Sequence, residues 1–155
     1  MLSQTSEYAL RAVVCLAARP EASLTTQEIA EITKVPVGYL SKVLQALRRA
    51  RLVRSQRGLR GGFVLARPPA EVTLLEVVNA VDPWKRIHTC PLGLANHGEK
   101  LCTLHHRLDQ SLAHTERALA ESTVAEMVAE SKIHQVPLCD ERKPASGASG
   151  EPDAA

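Results

Sequence analysis

The sequence predicts a mainly α-helical protein with a small β-hairpin wing, that is, a winged helix-turn-helix followed by a long dimerisation helix. Three observations support this fold class. Short helical repeats of apolar residues are separated by prolines, two of these repeats stand next to each other, and a glycine- and arginine-rich turn joins two strand-like runs. A chain of 155 residues, 45% hydrophobic, is long enough for one compact core.

The first helix is predicted from Ser6 to Arg19, and Pro20 ends it. Its helical spacing comes from four apolar residues, namely Leu10, Val13, Val14 and Ala17. Cys15 lies within this segment, and we interpret it as a small core or interface residue.

A helix-turn-helix is predicted next. Thr25 and Glu28 have the spacing of a capping box, so a short helix should run to Glu31 or Ile32. After Pro36, a second helix is predicted over residues 37–50. Its buried stripe consists of Leu40, Val43, Leu44 and Leu47. Its opposite face is polar and basic and carries Tyr39, Ser41, Lys42, Gln45, Arg48 and Arg49. This pattern is typical of a DNA-reading helix.

A hairpin wing should follow. The strand-like runs are residues 52–55 and 63–65, and the turn between them is rich in glycine and arginine. Glycines permit the tight loop, and its arginines can reach phosphates or enter the minor groove. A nucleotide-binding loop is the alternative, but no helix opens directly after this turn and no Lys-Ser pair follows it.

The charge distribution favours a polyanionic partner. The net charge is only +2, yet residues 32–70 contain no Asp or Glu and hold nine of the 19 Lys and Arg residues. A solvated basic face is the alternative interpretation. Because the charges fall on a helix-turn-helix and wing, we expect this segment to bind nucleic acid.

The second half of the chain predicts helices around a long loop. Thr73 and Glu76 form a second capping box, which starts a helix to about Val81. Residues 84–101 show little periodicity. A long helix, capped by Thr103, should then run to about Ala120. One side of it carries Leu104, Leu108, Leu112, Thr115 and Leu119.

This long helix has no partner helix of similar length, so we interpret it as the seam of a symmetric dimer. Packing only against its own domain is the alternative. A short terminal helix should start at Thr123, and residues 136–155 should be disordered. Cys139 lies in that tail and is expected to have no role in a site.

The cellular location is expected to be cytoplasmic, with no membrane partner. No apolar run approaches the roughly 18–20 residues that cross a bilayer, and the N-terminus lacks the pattern of a signal peptide. In a reducing compartment, the four cysteines are expected to be core residues, thiols or metal ligands rather than structural disulfides.

Three motifs together resemble the Rrf-two family of bacterial transcription regulators. They are the opening residues 2–12, the entry to the second helix at residues 37–40, and the wing at residues 57–63. The resemblance covers roughly residues 1–130. It implies a dimeric winged-helix regulator, expected to act as a repressor, in which an iron-sulfur cluster often controls DNA affinity. The implied signal is redox state, iron or nitric oxide.

The resemblance also implies which residues contact DNA. Side chains of the second helix would read bases, namely Tyr39, Ser41, Lys42 and Gln45. Arg57 would contact the minor groove or a phosphate, with Arg60 beside it. Lys and Gln can hydrogen-bond to base edges, whereas arginines on phosphates mostly supply affinity. A dimer should bind a roughly palindromic operator in double-stranded DNA, where it would compete with RNA polymerase at promoters.

The sensor loop departs from the family pattern. Members generally place three cysteines before the long helix, but this chain keeps Cys90 and Cys102 and has Asn96 at the middle position. The implied ligands are therefore Cys90, Cys102 and His105, with Glu7 of the partner subunit as the fourth. His97 and His106 are possible substitutes. With so few thiolates, a 2Fe-2S cluster is expected rather than a 4Fe-4S cluster.

Three alternatives compete with a cluster at this loop. The same residues suit tetrahedral zinc. Cys90 and Cys102 could instead form a reversible disulfide as a thiol switch. The site could also hold no cofactor, leaving a regulator that binds nothing there or binds a small molecule. His88 and His114 are interpreted as surface residues.

Other function classes have less support. No catalytic triad or carboxylate pair stands at a recognisable spacing, so an enzyme is not expected. A protein-binding adaptor fits poorly with the acid-free segment. We expect a DNA-binding unit over residues 1–82, a sensor loop over 83–102, a dimerisation and terminal helix over 103–132, and the tail over 136–155.

Overall fold

The computed structural model describes residues 2–58, 61–94 and 100–134 of the chain. Within these ranges, six α-helices accompany one antiparallel sheet of two strands, which confirms the predicted fold class. In chain order the elements are α1 (Gln4–Ala17), α2 (Thr26–Thr33), α3 (Val37–Arg49), β1 (Val53–Gln56), β2 (Gly62–Leu65), α4 (Leu74–Val81), α5 (Thr103–Glu121) and α6 (Val124–His134). The tail with Cys139 lies outside the described residues.

Helix α1 starts earlier than its apolar spacing predicted. The hydroxyl of Ser3 accepts a hydrogen bond from the backbone N–H of Ser6 at 3.2 Å, so Ser3 caps the helix. The helix therefore runs from Gln4 to Ala17 rather than from Ser6 to Arg19. Cys15 is fully buried in the core.

The helix-turn-helix consists of α2 and α3. The capping box is present, since Glu28 N–H donates to Thr25 Oγ1 and Thr25 N–H donates to Glu28 Oε2. Helix α2 reaches Thr33, one residue beyond the predicted end, and Lys34 then adopts a left-handed conformation with φ of 59°. The four predicted core residues of α3 are buried: Leu40, Val43, Leu44 and Leu47.

The wing is a hairpin whose outer strand also contacts the start of the helix-turn-helix. Strand β1 pairs with β2 from Val53 opposite Leu65 to Gln56 opposite Gly62. The N–H of Phe63 donates to the carbonyl of Leu24 at 2.7 Å, and the N–H of Leu24 donates back to Phe63 at 3.1 Å. This second pairing was not predicted. The predicted strands, 52–55 and 63–65, differ from the observed bounds by one residue.

The remaining helices return to the same core. A 3₁₀ turn, Pro69–Glu71, precedes α4, whose capping box of Thr73 and Glu76 and end at Val81 are as predicted. Helix α5 begins at Thr103 itself, so the N-cap is Cys102 and the prediction of Thr103 as the cap is wrong.

The segment between α5 and α6, together with the start of α6, closes the core. Val124 N–H donates to the carbonyl of Val72, and Leu74 N–H donates to the carbonyl of Ser122, both at 2.9 Å. The Val124 side chain is completely buried with residues of α1–α4. Among the described helices, none combines the length and apolar character that a membrane span requires.

Candidate DNA-binding surface and Cys/His site

The outer face of α3 is polar, basic and open to solvent. Lys42 and Gln45 are exposed, as are Arg48 and Arg49 in the last turn of the helix. Arg57 is exposed at the start of the turn between the wing strands. The predicted contact Arg60 lies outside the described residues. The surface that the sequence assigned to DNA thus presents cations from both the helix and the wing.

Two of the predicted base-reading residues already have partners within the chain. The hydroxyls of Tyr39 and Thr5 lie 2.7 Å apart, and the Tyr39 ring packs edge-on against Tyr8 with ring centroids 5.4 Å apart. Tyr39 nevertheless remains 41% exposed. The hydroxyl of Ser41 donates to the carbonyl of Val37 at 3.0 Å. Tyr39 therefore links the start of α3 to α1.

The structure brings together three of the predicted cofactor ligands. Cys90 lies in the loop after α4, Cys102 is the N-cap of α5, and His105 lies in the first turn of that helix. His105 Nδ1 is 3.2 Å from Cys102 Sγ and 3.6 Å from Cys90 Sγ. The three ligand atoms all lie within 4.8 Å of one another, and all three residues are partly buried.

The start of α5 favours the thiolate form of Cys102. The backbone N–H of His105 is the main contributor, followed by the His105 imidazole, and with smaller effects of Cys90 and the N–H of Leu104 these lower the pKa of Cys102 to about 7. A thiolate is the form that binds metals and reacts with oxidants.

These donor atoms fit a metal or iron-sulfur site. Thiolate and imidazole ligands suit both zinc and iron in clusters. With metal–ligand bonds of about 2.0–2.3 Å, two ligands of one tetrahedral ion stand roughly 3.5–3.8 Å apart. The observed distances of 3.2 and 3.6 Å are close to this spacing. In the described part of the chain, no fourth His, Cys, Asp or Glu joins the group.

The other predicted ligands are not part of this group. Glu7 is exposed on α1, where its carboxylate lies 3.9 Å from the guanidinium of Arg11. His106 is exposed on α5. His97 and Asn96 lie outside the described residues. Among the described residues of one chain, the site therefore offers three candidate ligands.

A cluster of charged residues that the sequence did not predict lies one turn further along α5. Arg86 donates to both carboxylate oxygens of Asp109 at 2.6 Å and to Glu116 at 3.1 Å. The hydrogen bonds from Arg86, helped by the N–H of Ile87, lower the pKa of Asp109 to about 2. Because 23 residues separate Arg86 from Asp109, no local pattern could have shown this pairing.

Comparison with known proteins places these features in a wider context. A family model described as "Rrf2: Iron-dependent Transcriptional regulator" matches residues 2–130. A protein of Aquifex aeolicus named as an HTH-type transcriptional regulator is 26% identical over 141 residues, which cover 89% of this chain and 98% of that protein. A Mycobacterium tuberculosis protein with the same kind of name is 37% identical over 94 residues, or 59% of this chain and 58% of that protein.

Several solved structures share the fold. The structure of T. potens IscR superposes with a TM-score of 0.73 at 23% identity, covering 88% of this chain and 91% of that one. CymR, described as the global cysteine regulator of B. subtilis, gives a TM-score of 0.70 at 21% identity, covering 84% and 97%. An oxidized form of Staphylococcus aureus CymR gives 0.63 at 22% identity, covering 83% and 95%. At these identities the likeness concerns the fold.

Proposed function

The chain belongs to the Rrf2 (Rrf-two) family of transcriptional regulators, and from that premise we propose that its DNA affinity depends on what the Cys90–Cys102–His105 site holds. The family and its relatives are DNA-binding regulators rather than enzymes. The observation that carries the proposal is the convergence of two sulfur atoms and one imidazole nitrogen within 4.8 Å. These three residues belong to the loop after α4 and the first turn of α5, not to α3 or the wing, so we assign them a role in sensing rather than in contact with DNA.

The proposed DNA contacts divide into two kinds. Lys42 and Gln45 are exposed on α3 and suit hydrogen bonds to base edges in the major groove, while Tyr39 and Ser41 lie beside them. Arg57 supplies a phosphate or minor-groove contact, with Arg60 next in the turn. Base contacts would give specificity, and the arginines would give salt-dependent affinity.

The proposed assembly is a homodimer on a palindromic operator. Leu104 and Leu108 stand one turn apart on α5 and are 61% and 46% exposed. Apolar side chains at this spacing form a stripe that a second copy of the helix would cover. Leu112 and Leu119 of the same predicted side are half-buried against their own chain. The helix thus contributes both to the proposed dimer seam and to its own domain.

The group that we propose for the site is an iron-sulfur cluster, 2Fe-2S rather than 4Fe-4S because the described residues bring two cysteines to it. When bound, it would supply a centre that oxidants, nitric oxide or iron shortage alter. Glu7 of the partner subunit is the proposed fourth ligand.

The chain's own contribution is to join the loop at Cys90 to the start of α5. Loss of that link would change the relative orientation of the two α3 helices in the dimer. The dimer would then leave the promoter, where it competes with RNA polymerase, and repression would be relieved.

Two other occupants remain alternatives. Zinc accepts the same Cys and His ligands. A thiol switch is favoured by the lowered pKa of Cys102 and its position next to Cys90. In that case hydrogen peroxide would oxidise the two thiols to a disulfide and be reduced to two water molecules.

The occupant is tested by purifying the full chain without oxygen. We expect a coloured protein containing iron and sulfide, and we expect Cys90→Ala to lose most of both. Zinc in place of iron would select the zinc alternative, and a peroxide-induced disulfide between Cys90 and Cys102 in metal-free protein would select the thiol switch. A colourless protein that holds no metal and forms no such disulfide would contradict the proposal that Cys90, Cys102 and His105 form a sensing site.

The DNA surface is tested by binding to the promoter upstream of the protein's own gene. Lys42→Ala should cost about 1–3 kcal/mol on the specific site. Arg57→Ala should weaken binding to all sequences and reduce the slope of affinity against salt concentration by about one. Lys132→Ala, which removes an exposed lysine from α6, is the matched control. If Lys42→Ala and Arg57→Ala both behave like this control, the assigned surface is wrong.

A further inference from the structure

Two carboxylates of α5 bind the loop that carries Cys90, and Asp109 makes most of these hydrogen bonds. Asp109 accepts two hydrogen bonds of 2.6 Å from the guanidinium of Arg86 and a third of 3.0 Å from the backbone N–H of Ile87. Glu116 accepts a further bond from Arg86 at 3.1 Å. The Asp109 side chain is only 16% exposed. A guanidinium bound through two parallel hydrogen bonds has a defined orientation, so this loop segment has a defined path along the helix.

The position of this contact relates it to the Cys/His site. Asp109 follows His105 by four residues, so both side chains lie on the same side of α5. Cys90 follows Arg86 by four residues. Cys102 and His105 are placed by the first turn of α5 itself. The place of Cys90 depends instead on the path of the loop, which the contact with Asp109 sets.

We propose that Asp109 is a positioning residue for this site. Through Arg86 and the N–H of Ile87 it holds the loop against α5, and so it keeps Cys90 Sγ 3.6 Å from His105 Nδ1, where both can bind the same metal. This inference rests on the proposed metal site. Residues that orient metal ligands typically change metal affinity by about 10- to 100-fold when they are replaced.

The experiment is a cobalt(II) titration of the metal-free full-length chain under reducing conditions. Cobalt(II) bound by thiolates gives absorption bands whose intensity reports the number of sulfur ligands. We expect Asp109→Asn to bind cobalt about 10- to 100-fold more weakly, with a thiolate band reduced toward that of Cys90→Ser. In the Cys90→Ser background, Asp109→Asn should have little further effect, because it acts through Cys90.

Two variants serve as controls. Glu116→Gln removes the charge of a side chain that accepts a single bond of 3.1 Å, which an amide oxygen can still accept, and should lose less affinity. Arg86→Lys keeps the positive charge but cannot bind both oxygens of Asp109 in parallel, so it should act in the same direction as Asp109→Asn. It also replaces Asp109→Asn if circular dichroism shows that the latter does not fold.

The outcomes separate the two hypotheses. The positioning role is overturned if Asp109→Asn keeps the cobalt affinity and band intensity of the natural chain. It is also overturned if Asp109→Asn lowers cobalt affinity as much in the Cys90→Ser background as in the natural chain. A natural chain that shows no thiolate–cobalt band contradicts the metal site itself and, with it, the inference.

Discussion

Cys102 stands where the chain enters α5, and its chemistry follows from that position. The first-turn amides of the helix, above all that of His105, favour the charged form of its sulfur. The resemblance to the family predicted Cys102 as a ligand, because its spacing from Cys90 matches the family pattern. The sequence could not identify the N-cap position, because Thr103 is the better capping residue and the helix nevertheless begins one residue earlier than a Thr103 cap requires.

The lowered pKa of Cys102 gives a testable pH dependence. The folded pKa of about 7 lies below the ordinary value of 9.0, so the thiolate persists as pH falls until about 7 and is then protonated. In metal-free folded protein, alkylation of Cys102 by iodoacetamide, followed by mass spectrometry of its peptide, should rise with a midpoint near pH 7. The same peptide in urea-unfolded chain is the control and should titrate near its ordinary pKa. Equal midpoints in the two states would contradict this account.

Strand β2 approaches the backbone of Leu24 so closely that position 62 has no room for a side chain. A Cβ atom added at Gly62 would lie 2.6 Å from the carbonyl carbon and oxygen of Leu24. Both are backbone atoms, so they cannot move aside as a side chain can. The pairing of Leu24 with Phe63 therefore requires glycine at position 62.

Gly62→Ala should consequently destabilise the fold by about 1–3 kcal/mol in urea unfolding, because the wing must separate from Leu24. Gly38→Ala is the matched control, since a Cβ at that position in α3 meets nothing within 4 Å. It should be neutral or stabilising by up to about 1 kcal/mol, as expected for Gly→Ala in a helix. Equal stability of the two variants would show that the wing does not depend on this approach.

The success of sequence-based prediction differs between elements for a physical reason. Helices α2 and α4 were predicted within a residue or two, because capping boxes at Thr25 and Thr73 are local signals. The Leu24–Phe63 bridge and the Arg86–Asp109 pair join residues far apart in the chain, and no periodicity encodes them. The sequence predicted the three residues that the structure brings together, Cys90, Cys102 and His105, but not the contact of Arg86 with Asp109 beside them.

At the scale of the whole molecule, the exposed stripe on α5 predicts how two copies meet. Leu108→Glu would place a charge in the proposed seam and should weaken dimerisation by about tenfold or more, as measured by analytical ultracentrifugation. Gln110→Glu adds the same charge on the opposite side of the helix and should leave the dimer intact. A natural chain that sediments as a monomer, or two variants that behave alike, would argue against this seam.

The pairing of residues 72–74 with 122–124 also bears on how the chain is made. Val124 fills a fully buried place among residues of α1–α4, and its N–H satisfies the carbonyl of Val72. During synthesis, the helix-turn-helix and the wing emerge first, and at that time Val124 has not yet been added to the core beside Val72. The chain can therefore reach its final packing only after the loop that carries Cys90, helix α5 and Val124 have been translated. A chain interrupted before α6 would lack Val124 beside Val72, would expose apolar surface there, and should be degraded faster by cellular proteases than the natural chain.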